Sequence, residues 1–243
     1  EPIPVVPTCH YMMGGTPTNI HGQAFNRVNN VDSIVPGLFA AGEAACVSVH
    51  GANRLGGNSL LDLVVFGRAT GMHIQQELKS GGGVESATKD DIEASLQRLN
   101  HLNESSSGYE TAPVKKELQE CMQNYFGVFR RGEFMEKGLK ELDEIREKVN
   151  NLHLKDKSNA FNTSRVEAIE LQNLFEVAEA TAIAAFSRNE SRGAHARDDF
   201  PERDDDNWLC HSLYDPISKT ISKRDVNFSP SQVEAFPPVV RTY

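Results

Sequence analysis

Between His50 and Arg68 the chain reads HGANRLGGNSLLDLVVFGR. This is a basic side chain (Arg54), a glycine pair (Gly56, Gly57), two polar residues (Asn58, Ser59) and then an apolar run from Leu60 to Phe66. That order restricts the chain to a loop that enters a helix through a point of close backbone approach. Glycines carry no Cβ, so the main chain can come near a flat ligand, and the free N–H groups of the first helical turn can receive that ligand's oxygens or anionic edge. An arginine just ahead of such a turn offers a planar, two-pronged donor suited to a carboxylate. The same residues also fit an ordinary loop-to-helix junction capped by Asn58 or Ser59. Spacing alone leaves both readings open.

Upstream lies PTCHYMMGG, with His10 and the pair Gly14-Gly15, and between the two stretches sits PGLFAAGEAAC. The latter reads as a turn (Pro36, Gly37), a short buried strand (Leu38 to Ala41), and then Gly42 with Glu43 at the strand's end. Nucleotide-binding α/β folds place a carboxylate against ligand hydroxyls at such a position. His10, Glu43 and Arg54 can therefore converge on one ligand. His21, in no comparable motif, reads as structural.

Residues 1 to 35 are extended and turn-rich, since Pro2, Pro4 and Pro7 exclude an opening helix. NIHGQAFN (Asn19 to Asn26) and RVNNVDS read as short strands joined by turns. After the ligand loop, Leu60, Leu61, Val64, Val65 and Met72 recur at helical spacing and predict a largely buried helix. Gly81 to Ala87 is a flexible joint and a domain boundary.

Beyond the joint, helices dominate. Thr88 and Asp91 offer a capping box with Asp in place of Glu or Gln; Glu104 to Pro113 is a polar loop; three amphipathic helices follow over 114–130, 133–152 and 164–189. Ser164, with Glu167 three residues on, is the expected cap of the last, whose apolar stripe runs through Val166, Ile169, Leu174, Val177 and Ala184. Short connections make these an antiparallel bundle with Met122, Phe126, Phe129, Phe134 and Met135 in its core. Glu141 with Ile145, and Glu144 with Lys148, give the pattern of a solvated face beside an i,i+4 ion pair. The densely charged ESRGAHARDDFPERDDD (Glu190 to Asp206) fits either a solvated loop of paired charges or a segment in which Arg192, His195 and Arg197 line a site or a subunit contact. The tail forms a hairpin about Asp215-Pro216 that covers the bundle, with Trp208 in the core.

Composition narrows the class. With 243 residues, 39% hydrophobic and 24% charged, the chain can bury a core and is expected to be a soluble, intracellular globular protein. A net charge of −9 gives no nucleic-acid surface. Cys9, Cys46, Cys121 and Cys210 form no CxxC pair, which argues against a zinc site, a cysteine-bound iron–sulphur cluster in this chain and a secreted disulfide framework. The longest apolar run, Leu60 to Gly67, is broken by Asp62 and too short for a bilayer; no signal peptide opens the chain. Any work at a membrane would need another subunit to hold the protein there.

HYMMGG, GLFAAGE and HGANRLGGNSLLDLVVFGR, followed by SRGAHARDDFPERDDDNWLCHSLY and FPPVVRTY, resemble the motifs of the succinate dehydrogenase and fumarate reductase flavoprotein family, in the family's order. GGNSLLDLVVFGR and NWLCHSLY are more similar to the succinate dehydrogenase branch than to fumarate reductase or L-aspartate oxidase. The family's opening GxGxxG turn does not occur here, so the chain resembles the C-terminal portion of a flavoprotein. The resemblance implies an α+β fold: the C-terminal part of an FAD-binding α/β domain that carries the dicarboxylate site (1–82), an antiparallel helical bundle (83–190), and a loop with a small β-rich tail (191–243).

For the site, the resemblance implies that Arg54, His10 and the backbone N–H of Gly57 bind a carboxylate of succinate or fumarate. Glu43 and the helix start at Ser59 and Leu60 would hold FAD. The proton-accepting base and the covalent flavin attachment would come from sequence N-terminal to this chain, so the fragment alone is expected to be inactive. The implied activity is oxidation of succinate by hydride transfer to FAD, with electrons passing to an iron–sulphur subunit and quinone, in a complex held by membrane anchor subunits. Its place is peripheral, on the cytoplasmic face of a bacterial inner membrane or the matrix face in a mitochondrion. A non-catalytic helical interaction domain, or a free-standing dicarboxylate-binding module, are the alternatives that the residues also allow.

Overall fold

The computed structural model describes residues 2–5, 10–82, 86–236, 238 and 239. Pro7 of the expected stiff start, residues 83–85 of the Gly81–Ala87 joint, and Pro237 and residues 240–243 of the closing FPPVVRTY lie outside the described residues. The first half is built from short strands around one long helix. β1 (Thr16–Pro17) leads into a hairpin of β2 (Gln23–Val28) and β3 (Val31–Phe39), closed by Asn29-Asn30, both with positive φ as a tight two-residue turn requires. The expected Pro36-Gly37 turn is present as a register irregularity inside β3: Phe25 pairs with Ile34, but Gln23 pairs with Phe39. The strand is exposed, not buried, because β2 is its only partner among the described residues.

A 3-10 turn (Gly42–Ala44) and β4 (Ala45–Cys46), parallel to β1, precede α1 (Gly56–Lys79). The expected burial of α1 is inverted. Leu60, Leu61 and Val64 are 66, 65 and 69% exposed, and Val65 and Met72 also face outward; Ser59, Asp62 and Thr70 are buried. Helical geometry explains this, since positions 59, 62 and 70 share one stripe, and that stripe is turned toward the loops preceding the helix. The periodicity identified a real apolar face, but no described residue covers it.

The second half has its own core. α2 (Lys89–Glu104) starts with the expected capping box: Thr88 Oγ1 accepts from the Asp91 N–H, and Asp91 Oδ2 accepts from the Thr88 N–H. α3 (Thr111–Phe126), α4 (Gly132–Asn150) and α5 (Thr163–Ser187) pack as a three-helix bundle with Leu118, Cys121, Phe126, Met135, Leu142, Ile145, Leu171 and Phe175 at its centre. Burial pushes the Cys121 thiol up to about 12, so it behaves as a small apolar side chain.

Several local expectations are corrected. α5 is capped by Asn162, whose side chain accepts from the Arg165 N–H, and not by Ser164. Its buried stripe runs through Ala168, Leu171, Phe175, Ala178, Ala182 and Ala185, while Val166, Leu174 and Val177 are exposed. The helix is apolar on several sides, and the side it packs into the core is the one rich in alanine. Phe129 is exposed because the chain leaves α3 at Gly127 for β5 (Phe129–Arg130), and Phe134, in the first turn of α4, is exposed as well. Lys148 pairs across helices with Glu117, not with Glu144.

After the bundle, β6 (Ala196–Arg197) runs parallel to β5, a short α6 (Asp205–Trp208) follows, and β7 (Cys210–Asp215) with β8 (Thr220–Asp225) makes the expected hairpin, packed against α5. Trp208 is half-buried instead of core, its ring lying against Arg188 and Lys223.

α3 and α4 approach closely at Gly138, where a Cβ would lie 2.5 Å from Tyr125 Cβ and Phe126 Cε2. Gly138→Ala should destabilise the bundle by about 1–3 kcal/mol in a denaturant titration, because overpacking outweighs the roughly 1 kcal/mol gained in helix propensity. A more stable variant would contradict this packing.

Candidate functional site

Arg54 is the centre of the first half. Its Nη1 donates to Asp62 Oδ2 at 2.8 Å and to Ser59 Oγ at 3.0 Å, and Nη2 donates to the Gly42 carbonyl at 3.3 Å. Both charged side chains are 3% exposed. An arginine at that depth requires a nearby anion, and Asp62 supplies it from the inward stripe of α1. His50 Nε2 lies 2.9 Å from the same Asp62 oxygen. The Nη1 hydrogens are thereby used up. Nε has no protein partner among the described residues and Nη2 has only the long Gly42 contact, so the Nε–Nη2 edge is the less occupied one and the one available to a carboxylate.

The two upstream motifs converge on this loop through their backbones. The Met12 N–H donates to Glu43 Oε1 at 2.7 Å, the Arg54 N–H lies 2.9 Å from Met13 Sδ, and the Tyr11 hydroxyl comes close to Gly56. Gly15 (φ +123°) allows this approach: a Cβ there would sit 2.6 Å from the Ala44 carbonyl oxygen. His10 is exposed, its ring edge-on to Tyr11 at 4.7 Å.

α1 starts one turn earlier than its polar letters suggest. Leu55 occupies the N-cap position without a side-chain cap, and neither Asn58 nor Ser59 fills that role. The Ser59 N–H is bonded to the Leu55 carbonyl, so the N–H groups that a helix leaves unspent belong to Gly56, Gly57 and Asn58. The space beside Gly57 is open, with no atom within 4 Å of where a Cβ would be. Leu60, the other residue expected at a cofactor, projects outward.

The charged run is exposed along much of its length, but Glu190 and Arg197 are buried within it and its charges are paired in a fixed pattern. Glu190 is fully buried; it accepts from Arg188 Nη1, from Arg192 Nε and Nη2, and from the Asp204 N–H. Burial alone would raise its carboxyl, but these donors hold it below the usual range. Arg197 grips Asp199 with two nitrogens and caps the end of α5 through the Ala185, Phe186 and Arg188 carbonyls. Arg130 can only donate, so His195 Nδ1 accepts from it at 2.8 Å, and Nε2–H donates to the Arg188 carbonyl. Burial, then the Arg130, Arg197 and Arg188 charges, hold the His195 imidazolium down to about 4.

This segment reaches the site loop directly. The Ala194 N–H donates to the Ala52 carbonyl at 2.9 Å, and Gly193 (φ +59°) abuts that carbonyl so closely that a Cβ would collide with it. His211 Nε2 lies 2.5 Å from Ser48 Oγ. The residues that sequence reasoning missed are Asp62, His50 and Met13; the available signal was an aspartate interrupting an otherwise apolar helix. Among the described residues no group of three His, Cys, Asp or Glu side chains is placed to hold a metal ion.

Residues 115–243 match the family described as Fumarate reductase flavoprotein C-term, and residues 1–60 match one described as FAD binding domain. The chain is 51% identical over 242 residues to the succinate dehydrogenase flavoprotein subunit of Coxiella burnetii, covering 99% of this chain and 41% of that protein. It is 44% identical to the mitochondrial succinate dehydrogenase flavoprotein subunit of Oryza sativa, covering all of this chain and 39% of that one. Among solved structures, an Escherichia coli quinol fumarate reductase flavoprotein superposes with a TM-score of 0.82 at 36% identity, over 100% of this chain and 40% of that chain. The chain thus spans about two fifths of the length of the curated relatives it matches.

His195 and His211, both held neutral by burial and neighbouring arginines, fix a pH dependence. Their folded-state affinity for protons is depressed, so the unfolded chain binds more protons below about pH 6.5, and stability should fall as pH drops from about 6.5 toward 4. His195→Gln keeps an acceptor and a donor in place. It should flatten the slope of the unfolding midpoint between pH 6.5 and 5; an unchanged slope would contradict the assignment.

Proposed function

Because the chain belongs to the succinate dehydrogenase and fumarate reductase flavoprotein family, we propose that it is the C-terminal portion of a flavoprotein subunit that oxidises succinate to fumarate. The observation that carries this reading is the buried guanidinium of Arg54, anchored through Nη1 and left with one donor edge. The higher identity to two succinate dehydrogenase subunits than to the fumarate reductase structure favours the succinate dehydrogenase branch.

FAD fits the residues present. Three unspent N–H groups at the start of α1, the open space at Gly57 and the Glu43 carboxylate provide polar partners beside an uncovered apolar surface. Glu43 and the helix start near Ser59 and Leu60 would hold the cofactor, which when bound supplies the hydride acceptor. Arg54 would clamp one substrate carboxylate with its Nε–Nη2 edge, His10 would donate to that carboxylate or its neighbour, and the Gly57 N–H would fix it further. Holding both ends of a four-carbon dianion leaves its central CH₂–CH₂ as the only part free to face the flavin. The proton-accepting base is assigned to sequence N-terminal to this chain. The same sequence is assigned to cover the apolar face of α1.

No described helix is long and apolar enough to cross a membrane. A peripheral place, on an iron–sulphur subunit and membrane anchors, is therefore part of the proposal. In the complete subunit, Arg54→Gln should lower succinate turnover by about a hundredfold or more, the scale of a lost bidentate charge pair, with flavin absorbance per protein retained. Undiminished turnover at full flavin content would refute the clamp.

A further inference from the structure

We infer that Asp62, steadied by His50, is the positioning residue that sets which edge of the Arg54 guanidinium faces the substrate; the inference rests on the dicarboxylate reading above. Asp62 stands in the one apolar stretch where an aspartate has no reason to be, and α1 presents it inward while its leucine and valine neighbours face out. Its Oδ2 receives two donors, Arg54 Nη1 at 2.8 Å and His50 Nε2 at 2.9 Å.

The His50 ring makes its one side-chain hydrogen bond among the described residues to this carboxylate. Its Nδ1 is buried without a hydrogen-bond partner among the described residues, so the Asp62 contact is the one hydrogen bond that orients the ring. A histidine held this way keeps the carboxylate from rotating off Arg54. Ser59, one turn before Asp62 on the same stripe, takes the second Nη1 hydrogen.

The consequence is geometric. A guanidinium can meet a carboxylate end-on, through Nη1 and Nη2, or side-on, through Nε and Nη2. Asp62 and Ser59 consume Nη1, which closes the end-on fork; the side-on fork keeps Nε and the Nη2 nitrogen, whose single protein contact is the 3.3 Å one to the Gly42 carbonyl. Without Asp62, Arg54 regains both orientations and its several rotamers, and the substrate loses a preset partner. Asp62 also carries a negative charge near a dianion, which opposes binding. The positioning account requires that the loss of orientation outweigh the relief of that repulsion.

The test uses the complete flavin-loaded subunit, titrated in its oxidised form with fumarate and read by the perturbation of flavin absorbance. Asp62→Asn should weaken fumarate binding about tenfold or more, the scale of one charge-assisted hydrogen bond, with flavin content unchanged. In an Arg54→Lys background, where no fork remains to orient, the same substitution should cost less than half as much on a logarithmic scale. Unchanged or tighter binding in Asp62→Asn, or a full additive loss in the Arg54→Lys background, would overturn the inference. If Asp62→Asn does not fold, Asp62→Glu, which keeps the charge but displaces the carboxylate by one methylene, should weaken binding several-fold; wild-type affinity there would overturn it equally. A wild-type subunit that binds no dicarboxylate would remove the underlying reading. A wild-type that binds with an Asp62→Asn variant that binds equally well would remove this inference alone.

Discussion

The ion pair between Arg54 and Asp62 is the constraint on which the first half of the molecule depends. A guanidinium that is almost entirely buried is stable only beside an anion, and the carboxylate comes from α1. Meeting that need fixes the rotation of the whole helix. Its polar stripe must face the loop, and its apolar stripe must therefore face away. The same pair brings Gly42 within reach of Nη2, so the turn that carries Glu43 is held at the start of the helix.

The second half is linked to this centre by a few polar ties and not by a shared apolar core. The buried core cluster runs from Leu102 to Ala185 and includes no residue of α1. Instead, Ala194 bonds the backbone of Ala52, His211 meets Ser48, and Arg224 pairs with Asp32 of the β2–β3 hairpin. The charged segment at 190–206 makes this possible. Glu190 and Arg197 are each held by several hydrogen bonds, and the segment they anchor presents Gly193 to the site loop. Its charges stabilise by filling one another's donors and acceptors in a buried setting, where such bonds count for more than exposed pairs do.

Much of this was legible in the sequence. The bundle, the Thr88–Asp91 capping box and the C-terminal hairpin all follow from periodicity, capping and turn chemistry. What failed did so for physical reasons. The apolar face of α1 was read correctly as a face but incorrectly as buried, because periodicity shows that a surface wants covering and not what covers it. α5 is apolar on several sides, so the stripe that packs is chosen by the small alanines and not by the larger valines. The role of Asp62 was hidden because a single acid in an apolar run looks like an interruption; only its partners, Arg54 and His50, make it a component of the site. Arg192, His195 and Arg197 were undecidable from composition, since a run of alternating charges looks the same whether it is solvated or folded in on itself.

The most direct test of the central claim is a crystal structure of the complete, flavin-loaded subunit with fumarate bound. The account predicts a ligand carboxylate within about 3 Å of both Nε and Nη2 of Arg54, with Nη1 still on Asp62 and Ser59. A carboxylate bound away from Arg54, or an Nη1 released from Asp62 to reach it, would contradict the account.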